Sequence, residues 1–353
     1  MSKSMGRAIR LGGTILAMVG LVSVEAIARD LTFTGWGGAM QESQRKLYLE
    51  PFSKSNGLKI VEDSWDGGIG VLRTKAQGGP QWDVVQVEAD EVVLGCEEGI
   101  LEPLDWAALG GKDKFLPAAV HECAVGAIVW ATVLAYDGAK LGANGPKSWS
   151  DFFDTTKFPG KRALRKGPRA ALEFALMADG VPVDQVYAEL KKPGGVDRGF
   201  KKLDAIKKDL IFWEAGAQPP QLLASGEVVM TSAYNGRITA ANKADKKEFK
   251  IAWPAGFVYQ IDSWVVLKGS PHKAEAMKLV NFLTRPENQA KLPELIPYGP
   301  THVDGAKLVP AAYAGDIPTA PANLSHGLFF DRNFWVDNVE KLTERFNAWA
   351  AQN

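Results

Sequence analysis

The residue types that most often perform catalysis or bind metals are few and scattered in this chain. It has two cysteines, Cys96 and Cys123, and four histidines, which lie at positions 121, 272, 302 and 326. No serine or cysteine stands in a recognised order with a histidine, and the CxxC and HExxH patterns of zinc sites do not occur. The glycine-rich patterns that bind phosphates, GxxxxGKS/T and GxGxxG, are also absent. We therefore expect neither an enzyme nor a metal centre, and no cofactor.

A different set of side chains, charged and aromatic, follows the ends of apolar segments. Trp36 follows the first β-rich segment, and Glu88 follows the apolar sequence WDVVQV. Tyr234 and Arg237 lie in the sequence YNGR, which predicts a turn. In open α/β sheets ligands bind beyond the carboxyl ends of the strands, so these residues are candidates for ligand contact. Asp90 also follows WDVVQV, but we expect it to act as an acid at a helix N-terminus.

Alternating strands and helices are predicted to position these side chains. The first third of the chain after the N-terminal segment is predicted as βαβαβα, typical of a mostly parallel sheet with helices on both faces. The middle repeats the pattern and includes a predicted helix over 196–208, while 258–267 suits a strand pair or a crossover. An amphipathic helix is predicted over 336–350. Because no linker rich in Pro, Ser or Gly separates the halves, we predict two α/β lobes joined by crossover strands. The ligand cleft is expected between the lobes.

Composition and charge are those of an ordinary globular protein. Apolar residues make up 46% of the chain and charged residues 23%, with 41 basic and 41 acidic side chains. Since no excess of basic residues is present to neutralise phosphates, the sequence disfavours a nucleic-acid partner.

The N-terminus has the pattern of an export signal. Basic residues without any acid occupy the first ten positions, an uncharged and mostly apolar run follows over 11–24, and Ala26 and Ala28 fit a cleavage site. We predict a secretory signal peptide over 1–28 and a soluble periplasmic protein, the alternative being an uncleaved interfacial helix. In an oxidising compartment Cys96 and Cys123 could form a disulfide bond, and the alternative is two buried free thiols.

Several short motifs, in a matching order, resemble those of the periplasmic solute-binding proteins of ABC importers, in particular the spermidine/putrescine-binding cluster of the extracellular solute-binding protein family 1 type. The resemblance extends over essentially the whole mature chain. It is carried by LTFTGWG at 31–37, WDVV at 82–85, SWSDFF at 148–153, AYNG at 233–236, WP at 253–254 with IDS at 261–263, LVNFL at 279–283 and YGPT at 298–301. It implies a type II-like fold of two lobes, 29–135 plus 263–318 and 136–262 plus 319–353. It also implies a ligand in the cleft, delivery to a membrane permease and no chemistry; we expect a monomer.

The resemblance also assigns roles to single residues. Trp36 lies where the family has an aromatic side chain against the ligand, and Asp262 matches the acid that receives the ligand's ammonium group. Glu88 lies in a loop that touches the ligand in the family. Tyr234 matches the aromatic residue before Asn-Gly, and Tyr298 lies in a loop that carries another contact.

Departures from the family pattern bear on the ligand. Gln260 stands where polyamine binders have a tryptophan. Their second acidic pair falls at a loop that here contains Arg165, Lys166 and Arg169, and Arg237 adds another guanidinium after Asn-Gly. A guanidinium in a closed cleft is a bidentate receptor for a carboxylate, whereas it repels a dication.

We therefore predict that the ligand is a small zwitterion such as 4-aminobutyrate. Its carboxylate is expected on Arg237 or Arg169 and its ammonium group on Asp262, with help from Glu88. Three alternatives stay open at this point. The arginines could pair with acids of their own lobe and never contact ligand, the ligand could be a polyamine, or the chain could be a secreted enzyme on the same two-lobe scaffold.

Overall fold

The computed structural model describes residues 29–352, so the predicted signal peptide lies outside the described residues. Within them, ten strands form one mixed sheet. Their bounds are β1 Leu31–Gly35, β2 Ile60–Ser64, β3 Val84–Val87, β4 Val125–Asp137, β5 Arg162–Arg165, β6 Leu210–Trp213, β7 Met230–Tyr234, β8 Phe249–Ile251, β9 Phe257–Val266 and β10 Gly327–Phe329.

Eighteen α-helices accompany the sheet in the described part of the chain. A π-helical turn over Arg45–Leu49 joins the first two helices into one continuous helical segment. The α-helices are α1 Gly38–Gln44, α2 Glu50–Asn56, α3 Ile69–Ala76, α4 Ala89–Glu97, α5 Gly138–Leu141, α6 Trp149–Phe153, α7 Ala171–Ala178, α8 Val186–Leu190, α9 Gly195–Asp204, α10 Gln218–Ser225, α11 Asn235–Asp245, α12 Lys273–Leu283, α13 Pro286–Gln289, α14 Leu292–Leu295, α15 Val303–Leu308, α16 Ala311–Ala314, α17 Pro321–Leu324 and α18 Arg332–Ala351.

The sheet contains two groups of parallel strands, and two long antiparallel strands lie between these groups. The order is β2-β1-β3-β9-β4-β7-β5-β6, with β10 on β9 and β8 on β4. Strand β1 pairs in parallel with β2 and β3, and β5 pairs in parallel with β6 and β7. Strands β4 and β9 are antiparallel to each other and to their outer neighbours β7 and β3. They are the crossovers between the lobes, and the middle of β9 thus lies below the cleft.

Buried apolar side chains form separate clusters on the two sides of the crossovers. One cluster packs α6, α7, α9 and α18 together and includes Phe152, Phe174 and Phe346. Another packs β1 and α12 against β9 and includes Phe33 and Leu279. Because each half of the chain buries its own apolar surface, the halves behave as two packing units. The predicted lobe boundaries themselves stay a prediction.

Two local predictions differ from the structure. The sequence YNGR is not a turn, because Asn235 begins α11 and its side chain bonds to the backbone N–H of Ala131 at 3.1 Å and the carbonyl of Pro297 at 2.7 Å. The predicted helix over 196–208 ends at Asp204, and the short strand β6 follows it. These contacts and the sheet edge at β6 come from distant parts of the chain, so local propensity does not reveal them.

A disulfide bond links two segments of the first half of the chain. Cys96, in α4, and Cys123, just before β4, form a disulfide bond with a Cα–Cα distance of 6.0 Å, which decides between the two alternatives left by the sequence. Among the described residues no helix is both long enough and apolar enough to cross a bilayer.

Candidate functional site

A cavity lies over the crossover strands, between the two parallel groups of the sheet. Its walls include Trp36 at the end of β1, Glu88 at the end of β3, Arg165 at the end of β5 and Tyr234 at the end of β7. Asp262, in the middle of β9, also lines the cavity. The carboxyl ends of the parallel strands therefore converge on this cavity, as the position of ligand sites in open α/β sheets leads one to expect.

Asp262 is a buried carboxylate held by neutral donors only. Its Oδ2 accepts hydrogen bonds from Trp36 Nε1 at 2.6 Å and Gln86 Nε2 at 2.8 Å, and its Oδ1 accepts one from Trp130 Nε1. Gln44 Nε2 in turn donates to Gln86 Oε1 at 2.7 Å and thereby fixes the orientation of that amide. Three donors orient the carboxylate, but none of them carries a positive charge.

The electrostatics of Asp262 follow from that arrangement. The residue is 2% exposed, and burial raises the pKa of its carboxyl to about 8. The nearby Glu88 adds to the rise, while the hydrogen bonds from the two indoles and the amide oppose it. A buried acid without a cation is costly to ionise, and an ammonium group placed beside it would restore its charge. The site can therefore receive a cation.

Arg237 provides the opposite charge in the same cavity. It lies in the first turn of α11 and is 5% exposed, and its Nη2 donates to the carbonyls of Trp36 at 3.1 Å and Gly37 at 2.9 Å. Its Nε is buried without a hydrogen-bond partner, and among the described residues no carboxylate forms an ion pair with it. A buried guanidinium with donors to spare can receive a carboxylate.

The approach of Arg237 to the start of α1 requires a glycine at position 38. Gly38 has a φ of +51°, in the left-handed region, and a Cβ built there would lie 2.6 Å from Arg237 Nη1. A side chain at this position would strain the backbone and force the guanidinium to shift. Gly38 thus permits the close approach of Arg237 to the backbone.

Aromatic rings form most of the remaining wall. Trp36 stacks on Trp65, with ring centroids 5.4 Å apart and planes at 7°, and Trp130 meets Tyr234 edge to face at 4.8 Å. Burial raises the pKa of Tyr298 to about 12 against the opposing effect of the Arg237 guanidinium, so this phenol stays protonated at neutral pH. Such rings exclude water and leave the two charged groups in a medium of low dielectric constant, where electrostatic attraction is strong.

Glu88 is the second buried acid of the wall, and it is already paired. Its Oε1 lies 3.0 Å from Arg165 Nη1 and its Oε2 lies 2.7 Å from Arg169 Nη1. Burial alone would raise the pKa of Glu88, but the two guanidinium groups outweigh burial and hold that pKa below its usual value. Asp90, in the first turn of α4 as predicted, accepts from Arg169 Nη2.

The structure brings together six of the seven predicted site residues. The cavity is lined by Trp36, Glu88, Tyr234, Arg237, Asp262 and Tyr298. Arg169 is not part of the wall, because Glu88 and Asp90 hold its guanidinium beside the cavity, and the geometry favours Arg237 as the carboxylate receptor. Gln260 lines a different cavity.

Two residues that orient Asp262 were missed by sequence reasoning. Gln86 carried a usable signal, because it is a polar residue inside a strand that is buried along its whole length. Trp130 carried none, since it lies in a long apolar strand; Ile128 pairs with Asp262, and the indole of Trp130 reaches the carboxylate diagonally from two residues further along β4.

Known proteins share this architecture and much of this sequence. Residues 48–319 match the family of bacterial extracellular solute-binding proteins. The chain is 45% identical to the gamma-aminobutyric acid-binding protein of Pseudomonas aeruginosa (strain PAO1) over 341 residues, which cover 96% of each chain. It is 22% identical to the spermidine/putrescine-binding periplasmic protein of Escherichia coli K12 over 284 residues, 77% of this chain and 79% of that protein.

A solved structure gives the same result. The structure of the Atu4243-GABA receptor superposes with a TM-score of 0.80 at 35% identity and covers 92% of this chain and 98% of that chain. The family match, the two lobes and the cavity between them agree, and they confirm the resemblance found in the sequence motifs. This chain belongs to the bacterial extracellular solute-binding protein family.

Proposed function

We propose that this protein is the periplasmic substrate-binding component of an ABC importer and that its ligand is a short ω-amino acid, 4-aminobutyrate or a close analogue. One observation carries the proposal. Asp262 and Arg237 line the same buried cavity, and each has hydrogen bonds to neutral groups but no partner of opposite charge among the described residues. A zwitterion supplies both missing charges.

The position of Trp36 supports a ligand whose two charged groups are separated. The indole Nε1 of Trp36 bonds to Asp262, and the main-chain carbonyl of the same residue bonds to Arg237. The two receptor groups are thus held at opposite ends of one tryptophan. An α-amino acid carries its ammonium and carboxylate on neighbouring atoms, whereas an ω-amino acid places a methylene chain between them, which the aromatic wall can cover.

A polyamine is less compatible with the same wall. Two guanidinium groups, those of Arg165 and Arg237, line the cavity. A diamine would place its second ammonium group near one of them in a desolvated site, and like charges there are strongly unfavourable. The identity to the gamma-aminobutyric acid-binding protein of Pseudomonas aeruginosa, higher than that to the polyamine binder, agrees with this preference.

The mechanism that we propose is lobe closure, with 29–135 plus 263–318 moving against 136–262 plus 319–353. Arg237 and Arg165 belong to the second of these units, and their partners Trp36, Gly37 and Glu88 belong to the first. Asp262 and Arg237 both lie in the second unit, whereas Trp36, which bonds to each of them, lies in the first. A ligand held by the two charges and covered by Trp36 would therefore contact both units and shift the population towards the closed form. A thiol-dependent secreted enzyme is disfavoured, because the disulfide engages both cysteines of the chain.

Calorimetric titration of the purified mature protein tests the proposal. We expect tight binding of 4-aminobutyrate with one ligand per chain, weaker binding of glycine and no measurable binding of putrescine. The variant Arg237→Gln should lose at least about tenfold in affinity, since it removes one partner of a buried charge pair. Arg285→Gln, at an exposed arginine that directly precedes α13, serves as the matched control. Tight binding of putrescine together with no binding of 4-aminobutyrate would contradict the proposal.

A further inference from the structure

Four charged side chains form a buried network beside the ligand cavity, here called the cross-cleft cluster: Glu88, Asp90, Arg165 and Arg169. Arg165 pairs with Glu88, and Arg169 pairs with both Glu88 and Asp90. The acidic side chains are 4% and 2% exposed and the arginine side chains 19% and 18%, so the contacts are largely removed from water.

The cluster joins parts of the sheet that are not neighbours. Glu88 directly follows β3 and Asp90 lies in the first turn of α4. Arg165 is the last residue of β5, and Arg169 lies between β5 and α7. In the strand order, β9, β4 and β7 stand between β3 and β5, so the ion pairs reach over the cleft rather than along a strand pair. The sequence left open that these arginines pair with acids of their own lobe, but the observed ion pairs instead join the two parallel groups of the sheet.

Only part of the cluster faces the ligand cavity. Glu88 and Arg165 line the wall, whereas Asp90 and Arg169 lie behind it. The two other acids of the wall, Asp66 and Glu214, are exposed to solvent. Glu88 is therefore the one buried carboxylate of the described wall, besides Asp262, that could receive a second ammonium group from a ligand. Both of its oxygens are occupied by guanidinium groups.

We propose that Arg165 and Arg169 determine the charge type of the ligand: by occupying Glu88 across the cleft, they leave one ammonium receptor in the cavity and exclude diamines. Buried ion pairs contribute little to stability but can enforce specificity, because an unpaired partner is strongly unfavourable in a desolvated site. The inference rests on the proposed function, since it concerns the selectivity of the same cavity.

The double variant Arg165→Gln/Arg169→Gln tests this inference. It frees the Glu88 carboxylate within the cavity, and we expect the affinity for putrescine to rise by about tenfold or more over the wild type. Calorimetry at pH 8 with putrescine and with 4-aminobutyrate measures the change, and circular dichroism confirms the fold of the variant. An unchanged affinity of the folded variant for putrescine would overturn the inference, as would tight putrescine binding by the wild type.

A charge-neutral control separates the freed carboxylate from a general loss of positive charge. In the quadruple variant Glu88→Gln/Asp90→Asn/Arg165→Gln/Arg169→Gln no carboxylate is freed, so putrescine affinity should stay at the wild-type level. An equal gain of putrescine affinity in this variant would overturn the inference, because Glu88 would then not be the receptor.

A reciprocal variant keeps the inference testable if the double variant does not fold. Glu88→Gln leaves the Arg165 guanidinium in the cavity wall without its carboxylate partner. A ligand with an additional carboxylate should therefore bind to this variant with higher affinity. Glutamate, which is 4-aminobutyrate with a second carboxylate, should bind at least about tenfold better to this variant than to the wild type. No gain would overturn the inference. Failure of the proposed function would look different, because the wild type itself would then not bind 4-aminobutyrate.

Discussion

Asp262 and Glu88 are both buried carboxylates in one cavity wall, yet their environments have opposite consequences. Asp262 accepts hydrogen bonds from two indoles and an amide, and burial raises the pKa of its carboxyl to about 8. Glu88 accepts from two guanidinium groups, which hold its pKa below the usual value in spite of burial. The difference lies in the charge of the donors, because both residues are well hydrogen-bonded and almost fully buried.

This contrast supports the proposal that Asp262, and not Glu88, receives the ammonium group of the ligand. Neutral donors orient a carboxylate without neutralising its charge, so a ligand cation can still pair with it. Cationic donors neutralise that charge, so little attraction for a ligand cation is left. A third buried acid, Glu173 in α7, resembles Asp262 in its donors: its Oε1 accepts from Tyr187 Oη at 2.8 Å and Trp335 Nε1 at 2.9 Å. Glu173 lies in α7, whose apolar residues belong to the cluster that includes Phe152 and Phe174. It lines none of the cavities described above, so we assign it a structural role.

The largest expected effect concerns the loss of the Asp262 charge. Asp262→Asn keeps the size of the side chain but leaves the ligand's ammonium group unpaired in a buried site. We expect the binding free energy of 4-aminobutyrate to weaken by about 2–5 kcal/mol, or about 30-fold to several thousand-fold. Calorimetric titration measures the change, with Asp316→Asn, at an exposed aspartate, as the control. Unaltered affinity would mean that Asp262 does not receive the ammonium group.

The next effect concerns the stability contributed by Glu173. Burial raises the pKa of its carboxyl to about 7 in the folded protein, above its ordinary value of about 4.5. The folded state then binds more protons than the unfolded state between these pH values, so this group lowers stability as the pH rises through that window. In the wild type, the free energy of unfolding contributed by this group falls by about 3 kcal/mol at most as the pH rises through that window.

Urea unfolding at several pH values between 4.5 and 8 tests this effect. We expect Glu173→Gln to lose the pH-dependent contribution and to bind 4-aminobutyrate as the wild type does. Glu227→Gln, at an exposed glutamate, should unfold with the pH dependence of the wild type. If Glu173→Gln alters ligand affinity instead of the pH dependence of unfolding, the comparison between core and cavity acids fails.

The smallest expected effect is a proton released on binding. Asp262, with a pKa of about 8, is mostly protonated at pH 7 in the empty protein, and a bound ammonium group would stabilise its ionised form. Affinity should therefore rise with pH below 8, by up to about tenfold (about 1.4 kcal/mol) per pH unit, and level off above it. Calorimetry at pH 7 in buffers of different ionisation enthalpy should detect nearly one released proton. A pH-independent affinity between pH 6 and 8 would show that Asp262 is already ionised in the empty protein.

The sequence predicted those residues of the candidate site that lie at strand ends or within family motifs. Trp36, Glu88 and Tyr234 follow strands whose apolar residues predict them, and Asp262 is identified by the motif around it. Arg169 was predicted as a ligand contact because sequence spacing cannot show that acids 79 and 81 residues away hold its guanidinium. Trp130 gave no signal because an aromatic residue within an apolar strand is usually plain core.

From the amino-acid sequence alone, the fold class, the two lobes and the solute-binding family could be predicted. Those properties depend on the periodicity of apolar residues and on short motifs, which are local. The tertiary structure decided which charges are free and which are paired, because pairing depends on groups that only folding brings within hydrogen-bond distance. Asp262 remains available since its neighbours Trp36, Gln86 and Trp130 are neutral, and Glu88 does not since two arginines reach it over the cleft.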